Sequence, residues 1–321
     1  MKITLDLSKL VETGKLTPQE ADRLRALAAH DTGSLGINIL VGFGVVAVAA
    51  GAVALVPTPF TAILIGMAMF AAGFGMGLKR SEQWDLLAQI CIVVGALMFA
   101  GGVLAYAQGS LNAMMLVTVT FAGAAILSRS SLLMAGAVLA LASCFGARAG
   151  YWHATYALAI YEPLVTVVVF GALAFIAYRV SHNLPADGER LAITASRTSL
   201  FLVNFGFWVG SLWGDRLLLL RSLWYNDAER AAQAARESVI SPWFFVIAWA
   251  LALAAAGAWG VRANRRFVVN VAAVFGAIHF YTQWFEKLGP QPASFLIGGL
   301  LMLAFAFGLW RFNQRERQPA A

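Results

Sequence analysis

Residues 86–107 read LLAQICIVVGALMFAGGVLAYA, twenty-two positions without a charge. A helix needs roughly 20 apolar residues to cross a ~30 Å hydrocarbon core. Nine further apolar stretches surround this one: Ser34–Val56, Phe60–Leu78, Leu111–Leu127, Leu132–Ala147, Pro163–Tyr178, Leu191–Trp213, Pro242–Val261, Phe267–Tyr281 and Ala293–Trp310. The chain is 60% hydrophobic and 12% charged, with a mean hydropathy of +0.74. No soluble core buries this many such runs. The expected fold is an all-α integral membrane protein of about ten transmembrane helices. The fifth and ninth stretches are the weakest spans, each short, with a tilted or re-entrant segment as the alternative reading.

Orientation follows from where Lys and Arg fall, since cytoplasmic connections carry the excess. With the N-terminus inside, the inner segments hold 16 of the 23 Lys and Arg residues and the outer ones 6. Arg197 lies within the seventh stretch. Both termini are therefore expected in the cytoplasm. The formal net charge of +7 is then topology and contact with anionic headgroups rather than a nucleic-acid footprint. The first 33 residues are charged and amphipathic, so no cleavable signal peptide is expected. Cys91 and Cys144 fall inside apolar stretches and read as small buried hydrophobes. A bacterial inner membrane is the expected location.

The segments expected are a cytoplasmic amphipathic helix pair at 1–33, a Gly/Ala-rich five-helix scaffold at 34–147, an outer aromatic loop at 148–162, a second transmembrane half at 163–311 with an outer loop at 214–241, and a tail at 312–321. In the head, Leu7–Thr13 forms a helix closed by Gly14. Thr17 caps a second helix, with Pro18 at its first position and Glu20 three residues after the cap, the arrangement of a capping box.

The string from Leu7 through Leu10, Gly14, Leu16, Thr17 and Glu20 to Ala21 resembles the DUF2157 family of predicted membrane proteins. The stretch His279–Glu286, followed by a span containing Gly298, Gly299, Leu300 and Leu301, is similar to the same family. The resemblance covers the head, the first span and the last two. It implies a multi-span bacterial protein of unassigned function and carries over no catalytic residue.

The first half is small-residue rich. Gly44, Ala49, Gly51 and Ala54 align with Gly95, Ala100, Gly102 and Ala105 at an offset of 51, either a hairpin repeat or shared composition. Gly73 and Gly77 are spaced as GxxxG. Such residues let helix backbones approach closely.

The second half holds the candidate chemistry. Arg197, Phe201, Asn204, Trp208, Ser211 and Asp215 follow steps of four and three, one stripe of the seventh helix. That stripe is either a polar track lining a cavity, or a snorkelling Arg197 and an Asn204 bridged to a neighbour. On the ninth, His279, Thr282, Gln283 and Glu286 share a face. With His153 and Glu162 they form a candidate outer-face cluster, or an interfacial hydrogen-bonded cap. Neither a metal site nor a cofactor is expected, and the Walker, dinucleotide, HExxH, CxxC and GxSxG signatures are missing. The leading expectation is transport or flipping of a small or amphiphilic solute. A lipid-linked enzyme at the outer face and a scaffold or sensor are the alternatives. Expected partners are membrane lipids, an amphiphilic or small-molecule ligand, and a protein partner of the helix pair.

Overall fold

A computed structural model of the chain describes residues 10–11, 16–78, 84–152, 155–217, 239–289 and 291–315. Among the described residues run ten helices and one β-hairpin. They are α1 (Pro18–Leu55), α2 (Pro59–Leu78), α3 (Asp85–Tyr106), α4 (Leu111–Ser128), α5 (Ser131–Cys144), β1 (Ala147–Trp152), β2 (Thr155–Ile160), α6 (Pro163–Ser181), α7 (Ala186–Trp213), α8 (Pro242–Arg262), α9 (Arg266–Leu288) and α10 (Pro292–Arg315). Proline opens α1, α2, α6, α8 and α10. Its fixed φ suits the first turn, and its missing N–H is one the helix would not have used.

Six helices, α2, α3, α4, α6, α8 and α9, are long and apolar enough to cross a membrane. Only 11% to 39% of each window is buried within the protein. Large apolar side chains such as Leu251, Phe175 and Leu303 face outward. A water-soluble surface does not carry apolar patches on this scale. Leu40–Leu55, Ser131–Cys144 and Pro292–Gly308 are shorter apolar helices.

Several boundaries differ from the sequence reading; α7 starts five residues before Leu191 and α10 runs five past Trp310. The second head helix and the first span are one continuous helix, α1, of 38 residues. Gly33 and Gly36 do not interrupt it, because glycine lowers helix propensity without removing a hydrogen bond as proline does. The first head helix, apart from Leu10 and Val11, lies outside the described residues, as does Gly14. The stretch expected as an outer loop at 148–162 contains an antiparallel hairpin, with Ala147 paired to Ile160 and Tyr151 to Tyr156. Its aromatic and β-branched residues favour extended backbone. The ninth helix runs on to Leu288, its last turns held where Trp284 Nε1 donates to Ser294 O at 3.2 Å and Phe285 meets Phe295. Of the expected outer loop at 214–241, residues 218–238 lie outside the description.

The capping box forms as expected. Thr17 Oγ1 accepts from Glu20 N at 3.3 Å, and Glu20 Oε2 accepts from Thr17 N at 2.9 Å. The backbone hydrogen bond from Thr17, with a second from its hydroxyl, holds the Glu20 carboxyl below the usual glutamate value.

The chain divides into two compact units, Met1–Ala137 and Val138–Ala321, the break falling inside α5 rather than at 147/148. In the first, α2 and α3 lie antiparallel with backbones in direct contact. A Cβ on Gly66 would sit 2.5 Å from Phe99 N, and one on Gly95 would sit 2.6 Å from Phe70 N. Gly73 and Gly102 face Ala88 O and Pro59 O equally closely, each at 2.7 Å. The working glycines are thus seven apart on each helix, and Gly77 faces open space. Gly44 and Gly51 are open too, whereas their repeat counterparts Gly95 and Gly102 are in tight contact. At these positions the 51-residue offset has no structural equivalence.

The second unit packs differently. Its core is Phe207, Phe245, Trp249, Val271 and Phe275, drawn from α7, α8 and α9. Trp249 and Phe245 are fully buried. Gly210 gives Phe245 its room: a Cβ there would lie 2.5 Å from the ring.

Candidate functional site

The polar stripe of α7 is met by side chains from α8 and α9. Asn204, 5% exposed, donates from Nδ2 to Leu200 O at 2.8 Å and accepts from Trp249 Nε1 at 3.0 Å. An amide in hydrocarbon must find such partners, since each unmet polar group there costs several kcal/mol. The Trp249 indole meets the His279 ring edge-on, centroids 4.8 Å apart. One turn further along α7, Trp208 Nε1 donates to Thr282 Oγ1 at 3.1 Å. Ser211 Oγ donates to Trp208 O at 2.7 Å. The α7 stripe and the α9 face are therefore one node, joined through two indoles.

Asp215 does different work. It is 1% exposed and follows Gly214, whose φ of 70° ends α7. Its Oδ2 accepts from Leu164 N at 2.7 Å, and its Oδ1 from Leu217 N at 2.7 Å. Its backbone exchanges two 3.0 Å hydrogen bonds with Ile240. Leu164 lies in the first turn of α6, so this carboxylate caps that helix from 51 residues away. Glu162, 3% exposed, is the N-cap residue of the same helix. Helix N-termini stabilise negative charge through the dipole and the unmet N–H groups.

The other candidates fall elsewhere. Arg197 is exposed, its guanidinium 4.6 Å from the centre of the Phe267 ring, as a snorkelling arginine stacked on an aromatic would be. Gln283 is half-buried and its Nε2 has no hydrogen-bond partner. Glu286 is exposed. His153 lies outside the described residues. Among the described residues no group of three His, Cys, Asp or Glu is placed to hold a metal.

Two spaces open beside the node. A crevice of about 60 Å³ lies against Asn204 and Trp249, otherwise walled by apolar residues such as Leu200, Val203 and Phe207. It would take about two waters. A larger groove of about 660 Å³ runs along α8, α9 and α10, open on one side and lined by Leu253, Gly257, Val269, Gly276, Ala304, Gly308 and their apolar neighbours. Leu253 and Ala272 wall both spaces.

The sequence reading named neither Trp249 nor this groove. A tryptophan inside an apolar helix is a signal in itself, because a buried indole N–H seeks an acceptor. Gly257, Gly276 and Gly308 lie on three different helices, and only the fold puts them in one wall. No protein-family model, no curated protein and no solved structure matches the chain.

Proposed function

We propose that this chain is a multi-pass protein of a bacterial inner membrane that handles an amphiphile from within the bilayer. About ten helices span, both termini are cytoplasmic, and the resemblance to the DUF2157 family fits that plan. The observation that carries the reading is the groove along α8, α9 and α10. Its volume of about 660 Å³ falls in the range of ligand sites, roughly 300–1,000 Å³. Its lining is apolar throughout and favours a hydrocarbon chain over a hydrophilic solute. The crevice at Asn204 argues the same way: at about 60 Å³ it is too small for a solute path.

A scaffold or sensor is the second reading, favoured by how the polar groups of α7 are used. Asn204 is bonded to Trp249 and Asp215 to Leu164, which is the bonding of helix-bundle packing.

Native mass spectrometry of the protein released from nanodiscs separates the two. A Cβ at Gly276 or Gly308 would meet nothing within 4 Å, so a Gly276→Leu/Gly308→Leu double variant fills the groove without a clash at its backbone. The expected result is an amphiphile of defined mass on the wild type and on Asn204→Leu, and its loss from the double variant. The same bulk lipid on all three would favour the scaffold.

A further inference from the structure

We infer that the groove holds one acyl chain of an anionic phospholipid whose phosphodiester is bound by arginines at the groove's end; this rests on the amphiphile reading above. Four arginines sit at that end by register. Arg262 follows the lining residue Val261. Arg265 and Arg266 precede Val269 by about one helical turn, and Arg311 follows Gly308 by three residues. Arg262, Arg265, Arg266 and Arg311 are all exposed. Arg265 stacks on Tyr178 of α6, 5.6 Å from the ring centre, and the same ring meets Trp259 on the face of α8 opposite Gly257, so Arg262, Arg266 and Arg311 are the arginines left to the groove. The turn carrying the first three is tight, with Asn264 at φ 52°, so α8 and α9 deliver them to one place.

Charge complementarity selects the headgroup. The segments forming α8, α9 and α10 contain no Asp or Glu except Glu286, at the opposite end of α9. Among the described residues of α8, α9 and α10 the rim therefore offers fork-shaped donors for phosphate and no carboxylate for a choline or ethanolamine amine; Glu316, just past α10, lies outside the described residues. The α9 N-terminus adds to this, since its N-cap residue Arg265 makes no side-chain cap and the positive end of the dipole faces the same turn.

Dimensions agree with a chain beneath that headgroup. From Leu253 to Val261 the groove wall runs about 12 Å along the α8 axis, close to the ~15 Å depth of one hydrocarbon leaflet. Small residues on all three helices leave the width free.

The test uses the full chain in nanodiscs of equal parts phosphatidylcholine and phosphatidylglycerol, with native mass spectrometry of retained lipid. Wild type is compared with Arg262→Gln/Arg266→Gln/Arg311→Gln and with Gly276→Leu/Gly308→Leu; thermal unfolding in pure phosphatidylcholine checks that each variant folds. The expected result is retained phosphatidylglycerol on wild type, a preference over phosphatidylcholine that falls by about tenfold in the arginine variant, and loss of lipid in the groove-filled one. Loss of both lipids on groove filling with no headgroup preference in wild type would overturn the anionic-lipid inference and leave the amphiphile reading standing. Phosphatidylglycerol lost from the arginine variant but retained by the groove-filled one would reveal surface attraction only, and would overturn the inference. Equal lipid on all three would overturn both.

Discussion

The two units solve the same problem with opposite chemistry. Lipid offers helices no hydrophobic reason to associate, so they must gain from close packing or from hydrogen bonds. In the first unit α2 and α3 use closeness alone: four glycines let one backbone rest on the other. In the second, α7, α8 and α9 stand around bulky rings, and polar atoms join them: Asn204 to Trp249, Trp208 to Thr282. The first pattern leaves no room between its helices. The second leaves a crevice and, beside it, a groove. Space for a guest therefore lies in the second unit, where bulky rings pack beside the crevice and small residues line the groove.

That contrast breaks most sharply at the glycines. Gly95→Leu should cost 1–3 kcal/mol or more, roughly the cost of overpacking a filled interface, because even its Cβ would meet backbone. Thermal unfolding in detergent reads this, with Gly77→Leu as the control expected to stay near wild type. Equal effects would mean that closeness is not what holds α2 to α3. Next in size, Asp215→Ala should destabilise the second unit by about 1–3 kcal/mol, since it strips the α6 N-terminus of a buried acceptor. Hydrogen exchange should show the first turn of α6 opening. Unchanged protection there would remove Asp215 from its capping role.

The smallest effect lies at the start of α1. The Glu20 carboxyl is held below its ordinary value by the bond from Thr17 N, so its contribution is fully present above the usual carboxylate range and fades as pH falls through the lowered one. Exchange of the Thr17 amide should quicken relative to its neighbours on acidification. Glu20→Ala should show fast exchange throughout. A wild-type profile that ignores pH would mean the box does not form in solution.

Much of this architecture was legible from residue order. Helix starts could be read because prolines and Ser or Thr caps act locally: Thr17, Ser110 and Ser241 each cap the helix expected to follow them. The α7 stripe was legible because helical spacing needs no partner to be seen. What the residues around it would do was not. Whether Asn204 lined water or met a neighbour depended on Trp249, 45 positions away. Asp215 read as the outer end of a track and proved to be the cap of a helix that begins 52 residues earlier in the chain, at Pro163. Gly73 and Gly77 looked like a pair, yet only the position of α3 decides which glycine is used. The groove was least legible of all, since its walls come from three helices that look unremarkable one at a time.

The 38 residues of α1 make a rod about 57 Å long, close to twice the depth of the hydrocarbon core. No proline interrupts it after Pro18, but Gly33, Ser34 and Gly36 fall near its midpoint, the kind of cluster at which a helix bends. Held straight, such a rod would carry a lateral push at its capped tip into a change of tilt at Leu55; bent at that cluster, it would not. The tip and the first span are therefore coupled mechanically only as far as Gly33, Ser34 and Gly36 stay stiff.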